Sequence, residues 1–222
     1  MIKDANLKFP NRRQKMKSVE GIVIHHPLAY WTIQRLHEYF ISIGWNGTAY
    51  SYYVQQDATV YYGRSAKGTE YVGAHTKGEN HRYIGICAEG NFHQDVNGVP
   101  AKRISDDQYR KLVSITAAKC REHNLTHKDV FGHYEIPGQS TSCPGKLFSM
   151  DKFRMDVRKE LMKGDDDLNL SNYQWSVLEN QVEGLLEDGV ISDQDWLRKI
   201  KDRTITASEM IWLNSVVLQR LR

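Results

Sequence analysis

The 222-residue sequence has no run of about 18 apolar residues, so it offers no segment that reads as a membrane-spanning helix. The N-terminus, MIKDANLKFPNRRQKMK, is polar and basic and lacks the apolar stretch of a secretory signal. The expectation is synthesis in the cytoplasm without a signal peptide, so any role outside requires release by another agent. Only three cysteines are present, Cys87, Cys120 and Cys143. An odd set cannot pair completely, which argues against a disulfide framework and makes a buried thiol the default for each. There is no internal repeat, no low-complexity tract and no RNA- or DNA-reading motif. Nucleic acid is therefore not an expected partner.

What remains is a globular composition, 40% hydrophobic and 26% charged, on a chain long enough for one ordinary domain and a small one. The net charge of +3 is unevenly spread. From Gly164 onward, six Lys/Arg face eleven Asp/Glu, a balance of −5, which leaves +8 on the preceding part. A basic N-terminal portion suits a polyanionic partner, either nucleic acid or an anionic cell wall, and charge alone does not choose between them. The break falls at Lys163-Gly164-Asp165-Asp166-Asp167, where a glycine followed by three like charges reads as a linker. The expected division is a domain over 1–163, a linker over 164–170 and a small helical module over 171–222.

Before the break, strand and helix signals alternate. Val19 to His26 is β-rich about Ile22-Val23-Ile24. Thr32 suits an N-cap for a helix carrying Ile33, Leu36, Phe40 and Ile43 and stopped at Gly44. Residues 50–55 and 59–62 predict a hairpin about Gln56-Asp57-Ala58, and Arg82 to Ala88 a further strand. Ser105 and Gln108 predict a capping box opening a helix to about His123, with Leu112, Val113, Thr116 and Cys120 on one face. A last helix covers roughly 150–162. This order implies an α/β fold, a mixed sheet with helices on its faces. After the break, capping boxes at Ser171 and Thr206 and a cap at Ser192 predict three short helices. Trp175, Trp196 and Trp212 there read as either ligand contacts or core.

Three places offer metal donors: His25-His26 at the end of an apolar strand, His133 in Phe131-Gly132-His133, and Cys143 in Ser142-Cys143-Pro144-Gly145. Side chains alternate along a strand, so one histidine of the pair can enter a site while the other supports it, or both simply cap the strand. His133 and Cys143 flank a loop shaped by Pro137 and Gly138 that can fold back on itself. Two imidazoles and a thiolate suit zinc, and three protein ligands leave a tetrahedral corner for water, the arrangement of a catalytic ion.

The segments IVIHH (22–26), GWNGTAYSYYVQQDATVYYGR (44–64), GAHTKGENHRYIGICAEG (73–90) and FGHYEIPGQSTSCPG (131–145) occur in family order. Together they resemble the type-2 N-acetylmuramoyl-L-alanine amidases, which include phage endolysins and peptidoglycan recognition proteins. The resemblance spans about residues 20 to 160 and implies the amidase/peptidoglycan-recognition fold. It implies one catalytic Zn2+ on His25, His133 and Cys143. It gives Tyr50 and Thr141 as catalytic hydrogen-bond donors, with Thr141 where relatives carry lysine or threonine. His75 is the candidate contact for the peptide stem. The implied reaction is hydrolysis of the amide between the lactyl group of N-acetylmuramic acid and L-alanine, by an endolysin acting on the wall. The rival reading is a peptidoglycan-binding receptor or regulatory module without catalysis. The helical module would bind anionic wall polymers or self-associate.

The sequence departs from the family in three places. Cys87 stands where some relatives carry an acid/base glutamate, Ala49 replaces a glycine, and Asp57-Ala58 replaces Asp-Gly. The proton shuttle is left unassigned: Glu89 is near in sequence but reads first as a surface carboxylate, and His37, His93, His123 and His127 read as solvent-facing. Trp45 and the strand tyrosines Tyr52, Tyr53, Tyr61 and Tyr62 read as packing residues or as platforms for sugars.

Overall fold

A computed structural model describes residues 1–165, 168 and 170–221. The chain forms two compact units, Met1–Leu161 and Met162–Arg222. Among the described residues, no helix is long and apolar enough to cross a membrane.

The first unit is built on a sheet of six strands: β1 (Lys3–Asp4), β2 (Gly21–His25), β3 (Tyr52–Val54), β4 (Val60–Tyr62), β5 (Tyr83–Ala88) and β6 (Val130–Gly132). Their order is β1-β4-β3-β5-β2-β6. Only β3 and β4 pair antiparallel, as the hairpin expected from the sequence; the other neighbours are parallel. The sheet is thus mixed and flanked by helices, as the alternation predicts. Strands β1 and β6 escape sequence reading because two or three residues are too few to show a period.

Every residue of β2 and β5 is buried, because helices cover both faces of the sheet. Ile22, Ile24, Tyr52, Val54, Ile84 and Ile86 point to one face. There they pack with Leu112, Val113 and Cys120 of α2 (Asp106–Glu122) and with Phe153 and Val157 of α3 (Met150–Asp165). Tyr53 and Cys87 point to the other, against Ile33 and Leu36 of α1 (Ile33–Ser42). Tyr52 and Tyr53 are therefore core residues. His25 is in register with Cys87, which puts it on the α1 face at the C-terminal end of its strand. Ligand sites in open α/β sheets form at such strand ends.

Local caps agree with the sequence in part. Thr32 caps α1 and Ser105 caps α2. Gln108 does not complete the α2 box. Its amide instead donates to the carbonyls of Val54 and Glu89, at 3.0 and 2.9 Å, and ties the helix to the sheet.

The second unit contains α4 (Asn172–Glu187), α5 (Asp195–Lys201) and α6 (Ala207–Arg220). The boxes at Ser171 and Thr206 form as predicted. Ser192 is not the cap of α5: the helix opens three residues later, with Gln194 at the cap position and Asp193 accepting the Asp195 N–H at 2.9 Å. Trp175, Val182, Ile191, Ile200, Ile205 and Leu213 form the core of this unit. Trp175 is therefore core, whereas Trp212 is 58% exposed and lies against Trp196. Of the expected linker, Asp166, Asp167 and Asn169 lie outside the described residues, and α3 continues to Asp165 rather than stopping near 162.

Candidate functional site

The chain turns at the ends of β2 and β6 bring the three predicted donors together. His25 closes β2, and β6 delivers His133 into a short 3-10 turn over His133–Glu135. The excursion from His133 to Cys143 is closed by the Tyr134 N–H donating to the Cys143 carbonyl at 3.0 Å. Arg154 on α3 pairs with Glu135 at 2.8 Å, and Glu135 accepts the Gly132 N–H at 2.6 Å, which pins the turn. The donor atoms of His25, His133 and Cys143 all lie within 4.8 Å of one another. Cys143 Sγ is 3.7 Å from His25 Nδ1. Two ligands of one tetrahedral zinc stand about 3.5 Å apart, given bonds of about 2.0 Å to nitrogen and 2.3 Å to sulfur. The set therefore fits a zinc ion.

Electrostatics point the same way. Burial lowers the pKa of all three imidazoles His25, His75 and His133, so the rings are neutral and keep a lone pair. Burial also pushes the Cys143 thiol up to about 12, against the His26 N–H, which donates to its sulfur at 3.4 Å. A thiolate in this place requires a cation beside it. His26 is the supporting member of the histidine pair. Its Nδ1 accepts the Phe92 N–H at 2.9 Å and its ring stacks on Phe92.

These donors border a cavity of about 330 Å³, also lined by Leu28, Phe40, Trp45, Tyr50, His93 and Thr141. The ring centroids of Tyr50 and His25 are 5.1 Å apart. Burial, then the neighbouring sulfurs of Cys87 and Cys143, hold the Tyr50 phenol well above its usual 10, so it remains a donor. Thr141 accepts the Cys143 N–H at 3.1 Å through its hydroxyl oxygen and retains its own O–H. Trp45 is 43% exposed and stacks on Phe40 at the cavity wall, available to a ligand in a way the strand tyrosines are not.

His75 lines the cavity, but its ring is buried and both nitrogens are committed. Nδ1 meets His25 Nε2 at 3.0 Å and Nε2 meets the Tyr83 carbonyl at 3.1 Å. This leaves no ring nitrogen free for the expected peptide contact. His133 has a parallel partner: its Nε2 lies 3.2 Å from Gln139 Oε1, while Gln139 Nε2 donates to the Lys77 carbonyl at 2.9 Å.

Other expectations need correction. Glu89 is buried rather than on the surface; it accepts the Gln56 N–H at 3.0 Å and does not line the cavity. His37 is buried between the Lys8 carbonyl and the Thr48 N–H. His93 was not foreseen at the cavity, where it lies 3.3 Å from Ser142 Oγ; no spacing in the sequence signals it. A second cluster, Glu70, Glu122 and His123, also has converging donors. Lys119 Nζ already pairs with both of its carboxylates, 3.0 Å from Glu70 and 2.7 Å from Glu122, with Tyr52 and Ser65 also donating to Glu70.

Comparison with known proteins gives this geometry a lineage. The family model described as N-acetylmuramoyl-L-alanine amidase matches residues 15–146, a segment that contains His25, His133 and Cys143. The endolysin of Escherichia phage T7 is 27% identical over 169 residues, covering 72% of this chain and 98% of that protein. A Sus scrofa N-acetylmuramoyl-L-alanine amidase is 30% identical over 132 residues, 57% of this chain; the chain spans only 20% of that relative's length. Among solved structures, the endolysin N-acetylmuramoyl-L-alanine amidase LysCS from Clostridium intestinale URNW superposes with a TM-score of 0.62 at 26% identity, covering 71% of this chain and 95% of that one. Peptidoglycan recognition protein-LE shares the fold, with a TM-score of 0.57 at 22% identity over 69% of this chain and 92% of its own. The match across more than half of its length, over the strands and loops that carry the cluster, means that this chain belongs to the N-acetylmuramoyl-L-alanine amidase family.

Proposed function

We propose that the chain is a zinc-dependent endolysin that hydrolyses the amide between the lactyl group of N-acetylmuramic acid and L-alanine in peptidoglycan. The observation that carries this reading is the convergence of His25, His133 and Cys143 on one side of an open cavity, with Tyr50 beside them. A zinc ion held by these three would supply hydroxide near neutral pH and would polarise the substrate carbonyl. The protein's own groups do the rest. Tyr50, kept protonated by its surroundings, donates to the oxygen that gains charge as the amide carbon becomes tetrahedral. Thr141 adds a second O–H from the loop before Cys143. Being neutral, it contributes less than a lysine ammonium would. No carboxylate is among the residues lining the cavity, so the glutamate of some relatives has no counterpart there.

The 1–163 portion is the catalytic domain in this reading, and the acidic helical module at 171–222 holds wall polymers or a second copy of the chain. The whole would act on the wall after release from the cell that makes it.

The test is release of amino groups, and loss of turbidity, from purified cell walls. Activity that vanishes with a chelator and returns with zinc supports the proposal. Saturable wall binding with no bond cleaved would instead identify a receptor. Comparing wall binding and solution mass of the full chain with those of residues 1–163 tests the module.

A further inference from the structure

Both histidines of the cluster are held by hydrogen-bonded chains that end on carbonyls of one short segment. A carbonyl oxygen only accepts, so each chain has one direction. From Tyr83, the carbonyl takes the proton of His75 Nε2 at 3.1 Å. The neutral His75 ring is then an acceptor at Nδ1, and His25 Nε2, 3.0 Å away, must donate to it. His25 is left with its lone pair on Nδ1, the atom that faces Cys143 Sγ at 3.7 Å. From Lys77, the carbonyl accepts from Gln139 Nε2 at 2.9 Å, which fixes the amide orientation. Gln139 Oε1 then accepts from His133 Nε2 at 3.2 Å, and His133 too keeps its lone pair on Nδ1.

The fold makes room for this arrangement. Gly85 is an interior residue of β5, on the same face as Cys87. A Cβ there would stand 2.7 Å from the His75 ring, and one on Gly73 would stand 2.4 Å from it. The missing side chains leave a slot over the sheet that the ring fills, which is a recognised use of glycine inside a strand. The backbone of the segment is held in turn: Asn80 Oδ1 accepts the N–H groups of His75 and Thr76 at 2.7 and 2.8 Å, and Ala74 N–H donates to the Ala49 carbonyl at 2.9 Å.

We infer that the segment from Gly73 to Tyr83 is the positioning element of the metal site: through His75 and Gln139 it keeps the protons of His25 and His133 on Nε2 and leaves Nδ1 of each free for one cation. His75 and Gln139 are thus positioning residues and touch neither the reacting bond nor the ion. Outer partners of this kind typically change metal affinity 10- to 100-fold when removed. The inference rests on the zinc reading above, so its test separates the two.

The first measurement uses the unaltered protein. Long-range 1H–15N correlation spectra of the metal-free chain should show His25, His75 and His133 each with the proton on Nε2; a proton on Nδ1 of His25 or His133 overturns the inference. The second is zinc affinity by competition with a chromophoric chelator, with folding checked by circular dichroism. His75→Leu and Gln139→Ala should each weaken zinc roughly 10- to 100-fold. At saturating zinc their KM for wall fragments should match the parent. Unchanged zinc affinity in the folded His75→Leu protein, or a raised KM at full zinc occupancy, overturns the role and returns His75 to the peptide stem. A parent chain that binds no zinc defeats the functional proposal itself.

Discussion

The backbone N–H of Tyr134 donates to the carbonyl of Cys143 at 3.0 Å, and this bond closes the loop that brings together two of the proposed metal donors, ten positions apart. His133 directly precedes the donor, and Cys143 is itself the acceptor. Neither side chain has to reach far, and the thiol meets His25 because β2 and β6 are adjacent parallel strands ending at the same edge. Several expectations can be tested on this framework.

Tyr50→Phe should lower kcat about 100- to 1000-fold with KM little changed, the usual effect of removing a donor to a developing oxyanion. Thr141→Ala should cost less. Thr141→Lys should raise kcat above the parent, because a charged donor is roughly twice as strong as a neutral one. Steady-state kinetics on purified walls decides each case.

Gln108→Ala should destabilise the protein by about 1–3 kcal/mol, because it leaves the Glu89 carbonyl without its donor, while the Val54 carbonyl keeps the Glu89 N–H. Urea unfolding provides the measurement. A loss below 0.5 kcal/mol would show that the amide is not the tie between α2 and the sheet.

Ala58 has φ +62°, in the left-handed region, at the hairpin position where the family resemblance leads one to expect glycine. A side chain there costs about 1–2 kcal/mol, partly offset by the greater freedom glycine has when unfolded. Ala58→Gly should therefore raise stability by about 0.5–1 kcal/mol, read as a higher unfolding midpoint with unchanged activity.

Metal-stripped protein should lose stability on acidification. An unfolded histidine takes its proton near 6.5, whereas His26, desolvated and then repelled by His93, does so only at about 4. Between these values the unfolded chain binds the extra proton, so stability falls as pH drops from 6.5 toward 4. The full difference is about 3 kcal/mol for this one ring. Urea midpoints across pH 4–7 in the presence of a chelator provide the check; a midpoint flat across that window would contradict it.

Much of the architecture could be read from residues one after another. Thr32, Ser105, Ser171 and Thr206 announce helix starts because a cap is a contact three residues long. Ile22-Val23-Ile24 declares a covered strand by its unbroken apolar run. Ser192 misleads because Asp193 and Gln194, equally polar, compete for the same job. The fates of Glu89, His37 and His93 were hidden because a polar residue in a loop looks the same whether it meets solvent or a partner distant in sequence.

The candidate metal cluster divides along the same line. The identity and order of His25, His133 and Cys143 are written in the chain, since donor chemistry belongs to the residue type. Which ring nitrogen each histidine offers is not. That depends on two carbonyls, an amide and a slot above Gly85, all brought within hydrogen-bond reach only when the sheet assembles. A hydrogen bond has direction as well as partners, and the direction exists only once the acceptor has a fixed place in space.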